Sequence, residues 1–589
     1  EDHSKSYWNK RKESFYANKS SFEYDKFKLS MPTIDSLSFM VDTINISTGK
    51  LQRIEVKNVL ADLNGELLID DPTNKSGIRN LPVYPLFNSH EDAFVFYDYS
   101  TIRGGAYKRE NFFYTVYPFV IDSLNSFTTE GLKFDGSLNS GDIMPVIEEP
   151  LRVMEDYSLG FNRSLPPKGI PVYKDRATYY SNITLDNNGL QGDGKLEYLT
   201  STSESKNFIF YPDSLVADLK NFDIKEKYGA PTFPMVVGEG VHQYWVPALD
   251  SMSLQTLPGK EFEMFGAKSY HSGNLTLTSR GLFGSGKSRL DNADLISNNF
   301  SFRNQSFHTD TTDFLLYYPE RPSLSLSTRM NSGSVDFLNQ EGVFGVLGES
   351  QRIELPHSKY VCYMDQIEWS MEKSELLLTN SLVHRSELTD AIDLKKLVDY
   401  DFSGSEFIST DPQRDSLQFF AMEASYKMKE NIINARDVKI IQVADIAVFP
   451  GDGKVTILSD GDMQALEGAN IIADRKHKHH RIYDASIKVN SRKHYMASGN
   501  IDYVDDAGNV RQLHLDPITV DSAQHTYGLT NIPANNFMPL NDHFNFIGNI
   551  KMKADSRNHY FDGVFQMQNA CLAENRPWVR FASELDRND

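Results

Sequence analysis

The chain has 589 residues, with 80 acidic side chains against 60 lysines and arginines, for a net charge of −20. That excess excludes a general nucleic-acid binder, which needs a basic face to displace counterions, and it equally disfavours docking on anionic lipid headgroups. At 40% hydrophobic and 24% charged residues the composition is that of a folding chain. No stretch approaches the ~18 consecutive apolar residues of a membrane-spanning helix, so no transmembrane segment of its own is expected.

The sequence opens Glu1-Asp2-His3, with neither methionine nor a basic-then-apolar leader. It is read as a processed product or a section of a longer chain. Only two cysteines occur, Cys362 and Cys571. Two thiols cannot make a disulfide framework or a Cys-rich zinc or iron–sulfur site, and whether they pair is left open.

Taken in chain order, residues 1–35 form a polar opening in which 5–17 is read as a helix candidate. Residues 36–170 are β-rich. Two aromatic runs alternate there, Phe94 to Tyr99 and Phe112 to Phe119. Such rows are read first as core, and second as an exposed surface that stacks on sugar rings or docks a partner. Residues 171–350 hold a tandem repeat. Residues 351–440 are mixed, with a helix predicted over 386–398 from Leu388, Ile392, Leu394, Leu397 and Val398 and a Ser-x-x-Asp-like start.

Residues 441–589 return to period-two alternation, the side-chain period of a half-buried strand. Phe544, Phe546, Gly548, Ile550 and Met552 share one face, as do Phe561, Gly563, Phe565 and Met567, and Tyr495, Ala497, Gly499, Ile501 and Tyr503. Residues 482–489 and 323–327 add strands. Turn residues lie between them: Pro450-Gly451-Asp452-Gly453, and Asp505 to Asn509, which predicts a hairpin joining 501–504 to 510–515.

The repeat aligns residues 183–224 with 275–316 without gaps at an offset of 92, with 14 of 42 positions identical. Gly189, Gly192 and Gly194 match Gly281, Gly284 and Gly286. Asn207-Phe208-Ile209-Phe210 matches Asn299-Phe300-Ser301-Phe302, and Ser214, Asp218 and Phe222 match Ser306, Asp310 and Phe314. A period this long makes each unit a block of several strands that must stack on a neighbour to bury its apolar face. The six glycines are the positions read as structurally demanding turns.

Gly281-Leu282-Phe283-Gly284-Ser285-Gly286-Lys287-Ser288 matches the phosphate-cradling pattern Gly-x4-Gly-Lys-Ser. Its continuation alternates like a strand where a helix is required. The first copy keeps the glycines and lysine but has Leu196 for the serine and an added Asp193, so a structural turn is the preferred reading. Eight of 15 histidines lie from His477 to His559. His477 and His479 could share a strand face and a metal, but the flanking lysines and arginine favour a solvated basic turn. Glu148-Glu149 and Asp70-Asp71 are adjacent carboxylates, which a strand points to opposite faces. Residues 70–77 are read as a turn closing the strand at 67–69. No nucleophile elbow, His-Glu-x-x-His or Cys-x-x-Cys occurs. No catalytic residue, metal ligand or cofactor is assigned.

Residues 69–77, Tyr157 to Phe161, Gly189 to Gly194 with Tyr198 to Thr202, and Lys359 to Asp365 resemble long uncharacterised repeat-containing proteins of Bacteroidota cell envelopes. The resemblance spreads over most of residues 60–580. It implies an exported protein of the periplasm or outer membrane, with other envelope proteins as partners. Leu466 to Asn470 and Ala497 to Ile501 are similar to the repeats of periplasmic lipopolysaccharide-transport bridge proteins, whose strands form an open β-taco. The expected fold is all-β, an elongated stacked-sheet, β-solenoid-like or β-taco repeat with few short helices. The expected function is a non-enzymatic structural or assembly component, with a lipid or glycolipid conduit and a polysaccharide-binding or -cleaving β-solenoid as alternatives.

Overall fold

The structure, a computed structural model, describes the chain apart from residues 1–5, 10–12, 45–48, 125–127, 319–320, 349–350, 381–392, 400–405, 506–507, 569–575 and 586–589. It is all-β: stacked sheets of antiparallel strands with, among the described residues, one four-residue α-helix and two single-turn 3-10 helices. The chain divides into two compact units, residues 1–284 with 302–304, and residues 285–301 with 305–589.

Unit 1 begins with an eleven-stranded sheet. The helix expected over 5–17 is not there. Ser6–Asn9 and Glu13–Glu23 are strands, and the second pairs with Lys28–Ile44. In the described part of that stretch Phe15 and Ala17 are buried and Tyr16 is exposed, the alternation of a strand. A second sheet follows, in which Ala177–Asp186, Gly189–Tyr198, Ser201–Phe210 and Leu215–Ile224 pair in sequence as a meander. Three buried tyrosines tie the two sheets together through backbone carbonyls. Tyr97 Oη donates to Leu159 O at 2.8 Å, Tyr107 Oη to Phe210 O at 2.8 Å, and Tyr114 Oη to Glu149 O at 2.7 Å. Burial pushes the first far up and the second up to about 12.

The repeat is longer in structure than in sequence. Strands Leu159–Ser164, Ile170–Val172, Ala177–Asp186, Gly189–Tyr198 and Ser201–Phe210 recur 92 residues on as Ser251–Thr256, Phe262–Met264, Ser269–Thr278, Gly281–Arg289 and Ala293–Phe302. Even the unusual backbone repeats. Tyr173, Lys174 and Asp175 have φ of 51°, 57° and 63°, and Phe265, Gly266 and Ala267 have 56°, 65° and 65°. Two adjacent strands of the first copy slip phase once. Ser201, Ser203 and Ser205 face in, then Lys206 and Asn207 are both exposed, then Phe208 and Phe210 face in. Leu215–Ile224 slips in the same way at Lys220-Asn221. The ladder between these two strands is interrupted from 205 to 207, opposite 218–220. The break falls at the same level in both strands without a change of register, and it leaves backbone groups there without ladder partners. Ser205 supplies them: its hydroxyl donates to Asp218 O at 2.7 Å and accepts from Asn207 N at 3.0 Å. Ser297, 92 residues later, donates to Thr311 O at 2.7 Å and accepts from Asn299 N at 3.1 Å. Identity at these two serines therefore follows from the backbone groups that both satisfy.

In unit 2 the chain lays hairpins alternately into two sheets. One sheet orders Glu341–Val346, Gln366–Ser370, Glu375–Thr379, Glu423–Lys427, Ile432–Arg436 and Val455–Ile457. The other orders Ile353–Leu355, Tyr360–Cys362, Glu406–Ser409, Gln418–Phe420, Ile441–Val443 and Ile446–Phe449. Arg321–Asp336 pairs with the first strand of both. Most of these strands are short and alternate, whereas Tyr360–Cys362 and Ile446–Phe449 are buried along their whole length. Of the predicted helix, 386–392 lies outside the described residues and Leu394–Leu397 is helical, capped by Asp393, whose carboxylate accepts from Lys395 N. Leu394 and Leu397 pack on Val398, Ile440, Ala447, Phe449 and Ile472. The predicted hairpin is present, with Ile501 opposite Leu513 and Val504 opposite Val510.

Candidate interaction surfaces

The residues with apparent chemistry in the sequence are occupied by structure. The phosphate-loop lookalike lies within the strand Gly281–Arg289. Ser288 is fully buried, and Lys287 Nζ sits 2.7 Å from Asp294 Oδ2. Gly189, Gly281 and Gly286 have φ of 93°, 152° and 132°. Gly192, Gly194 and Gly284 are mid-strand and have no such φ; what presses on them is a neighbour. An added Cβ would stand 2.2 Å from Tyr179 Oη at Gly192, 2.1 Å from Tyr180 O at Gly194 and 2.8 Å from Phe302 Cε2 at Gly284.

His477 and His479 stack at 5.5 Å, so they do share a face, but His477 Nδ1 is taken by Asp474. His480 is buried; its Nε2 donates to Ser556 O at 2.7 Å, and its ring lies 5.0 Å from that of His559. Among the described residues no group of three or more His, Cys, Asp or Glu is placed to hold a metal ion. Asp70 and Asp71 serve their own loop. Asp70 accepts from Asp71 N and Asn74 Nδ2, and Asp71 accepts from Thr73 N and Oγ1. Cys362 is a free, buried thiol that burial pushes up to about 12; Cys571 lies outside the described residues.

The inward rows are filled. In unit 2 Phe314 and Phe344 stack at 4.0 Å, Phe407 and Phe419 stack at 5.1 Å, and Ile367, Leu376, Leu378, Tyr426, Ile433 and Ala435 are fully buried. In unit 1 Trp245 is fully buried between Tyr173 and Tyr198, at ring distances of 5.4 and 4.8 Å. Each large side chain so buried contributes roughly 1.5–3 kcal/mol of transfer free energy.

The two aromatic runs divide between core and surface. Val95, Tyr97, Phe112 and Tyr114 point inward and are buried. Phe94, Phe96 and Phe113 take the opposite face and are half-buried. Phe96 lies directly opposite Phe113 across the strand pair. Phe94 stacks on Phe96 at 6.1 Å and meets Phe113 edge-on at 5.8 Å. The Arg109 guanidinium lies 4.8 Å from the Phe96 ring and its Nε donates to Asp98 Oδ2 at 2.7 Å, which raises the arginine above its ordinary value. Aromatic faces beside a charged pair on a sheet surface can stack on a flat apolar ligand face and hydrogen-bond its rim. Arg109 and Asp98 were not singled out in the sequence, because nothing in their spacing marks them as partners of the ring row.

No protein-family model matches the chain, and no curated relative does.

Proposed function

We propose that this chain is a non-enzymatic structural or assembly component of a bacterial cell envelope, exported to the periplasm or outer membrane, with other envelope proteins as partners. The observation that carries the reading is the packed interior of each unit. A lipid or glycolipid conduit needs inward positions that face a lumen, whereas here inward rings and aliphatic side chains fill the space between sheets. A filled repeat leaves its outer faces and edges for contact with partners. The envelope location rests on the sequence resemblance.

The test is affinity isolation of the protein from gently solubilised envelopes of the source bacterium, with mass spectrometry of co-purifying proteins and lipids. A stoichiometric, reproducible set of envelope proteins supports the proposal. Lipid in equimolar amount with no protein partner contradicts it and favours transport. The outward row of Phe94, Phe96 and Phe113 gives specific support to a second reading, a polysaccharide-binding face. There, Phe96→Ala would abolish retention on a bound glycan while leaving the protein-partner set intact.

A further inference from the structure

Five chain connections of unit 2 meet around a cleft of about 430 Å3. They contribute Arg475, Arg492, Lys493 and the amide of Gln524, and the adjoining strands add the amides of Gln418 and Gln442. The one carboxylate in the lining is Asp415, whose Oδ1 is 3.2 Å from Lys493 Nζ. Three cations against one anion is the reverse of the balance of the whole chain, which carries −20. Like charges gathered in a concave site repel one another unless a counter-ion joins them, and low-dielectric walls concentrate their field on whatever enters.

The cations are held differently. Arg475 is fixed: Nη1 donates to Gln442 Oε1 at 2.6 Å and Nη2 to Ala444 O at 3.2 Å. Arg492 is fixed only through its backbone, whose N donates to Arg414 O at 3.0 Å and whose O accepts from Ala444 N at 2.8 Å. Its guanidinium makes no hydrogen bond or ion pair among the described residues, and it is exposed at the cleft. A guanidinium fork matches the two oxygens of a carboxylate or phosphate, and primary amides both donate to and accept from hydroxyls. The volume falls within the roughly 300–1,000 Å3 of small-molecule sites.

We propose that this cleft binds an acidic sugar, its carboxylate or phosphate received by Arg492 and Lys493 beside the fixed Arg475, and its hydroxyls by the glutamine amides. The site is distinct from the aromatic row of unit 1 and does not depend on the structural role proposed above.

The test is calorimetric titration of the whole chain with glucuronate, glucose 6-phosphate, glucose and inorganic phosphate at low salt. The expected result is saturable binding of at least one acidic sugar with Kd below about 1 mM, no binding of glucose, and weakening by added salt. Arg492→Gln should weaken it about tenfold with an unchanged unfolding midpoint, since that side chain has no hydrogen-bond or ion-pair partner among the described residues; Lys493→Gln gives an independent check. Tighter binding of glucuronate identifies the carboxylate as the recognised group, and tighter binding of glucose 6-phosphate identifies the phosphate. Glucose or inorganic phosphate binding as tightly as the better acidic sugar, no saturable binding of either acidic sugar, or affinity unchanged in both variants would overturn the proposal.

Discussion

The Tyr107 hydroxyl occupies the space that a side chain at Gly189 would need: a Cβ there would stand 2.6 Å from Tyr107 Oη. The same hydroxyl donates to Phe210 O at 2.8 Å and accepts from Leu190 N at 3.1 Å, so one side chain of the connection between Ala93–Phe96 and Phe113–Val116 closes two backbone groups of the second sheet. Gly189 is thus required twice, for its φ of 93° and for the space above it. Tyr107→Phe should destabilise unit 1 by about 1–3 kcal/mol, because it strands a buried N–H and weakens a buried carbonyl. Gly189→Ala should destabilise by a similar amount, and by less in the Tyr107→Phe background, where the obstructing oxygen is gone. Denaturant unfolding of the four proteins measures the coupling. Strict additivity would mean the two residues do not compete for the same space.

Gly281 and Gly284 demand glycine for different reasons. Gly281 has a φ of 152° and open space around it, its nearest neighbour being Phe283 at 3.8 Å. Gly284 lacks such a φ but lies against Phe302 Cε2 at 2.8 Å and Leu275 Cδ2 at 3.0 Å. Phe302→Leu should therefore recover stability lost in Gly284→Ala and recover none lost in Gly281→Ala. Thermal melts of the four variants decide it; equal recovery at both would show that one mechanism serves both glycines.

His480 sets an acid limit on stability. Burial depresses its imidazole below the ordinary value of about 6.5, with His479 and Lys395 adding repulsion, while hydrogen bonds to backbone carbonyls oppose the shift. Its ring also lies beside His559. In the unfolded chain the group takes a proton near pH 6.5; in the fold it resists until lower pH. The stabilising difference is present above about pH 6.5 and is lost as pH falls through that value towards the folded pKa. Melting temperature should decline on acidification below about 6.5, and His480→Gln, which keeps a donor for Ser556 O, should flatten the decline. An unchanged slope would assign the acid sensitivity elsewhere.

Cys362 should be inert in the native protein. Its thiol is fully buried and pushed up to about 12, so thiolate is scarce at pH 8 and has no route to reagent. Tandem mass spectrometry after a maleimide pulse should find Cys362 unmodified in buffer and modified in urea. Rapid native labelling would show that the sheet around residues 360–362 opens.

The β class, the offset of 92 and the hairpin after Val504 were legible because period-two alternation and turn glycines are local properties of the sequence. The extension of the repeat back to Leu159 was not. What recurs there is backbone shape, and Tyr173-Lys174-Asp175 shares no residue with Phe265-Gly266-Ala267. Alternation also cannot tell which of two apolar rows faces in. It placed Tyr97 and Phe96 in one run, and only the cross-strand partners put Phe96 outside. The cleft around Arg492 was invisible for a related reason: Arg475 and the Arg492-Lys493 pair sit in two successive connections, Gln418, Gln442 and Gln524 come from other parts of the chain, and turn chemistry alone gave no cause to associate them.

The central claim is that inward positions are filled by the protein itself and that partners meet its outer faces. Replacing leucine with photo-leucine during expression in the source organism, irradiating intact cells and mapping adducts tests it directly. Leu254, Leu376 and Leu378 are fully buried, whereas Leu257 and Leu338 are 46% and 76% exposed. The account predicts only intramolecular links from the three buried leucines and links to other envelope proteins from the exposed ones. Lipid or glycolipid adducts on Leu376 or Leu378 would contradict it and make the interior a conduit.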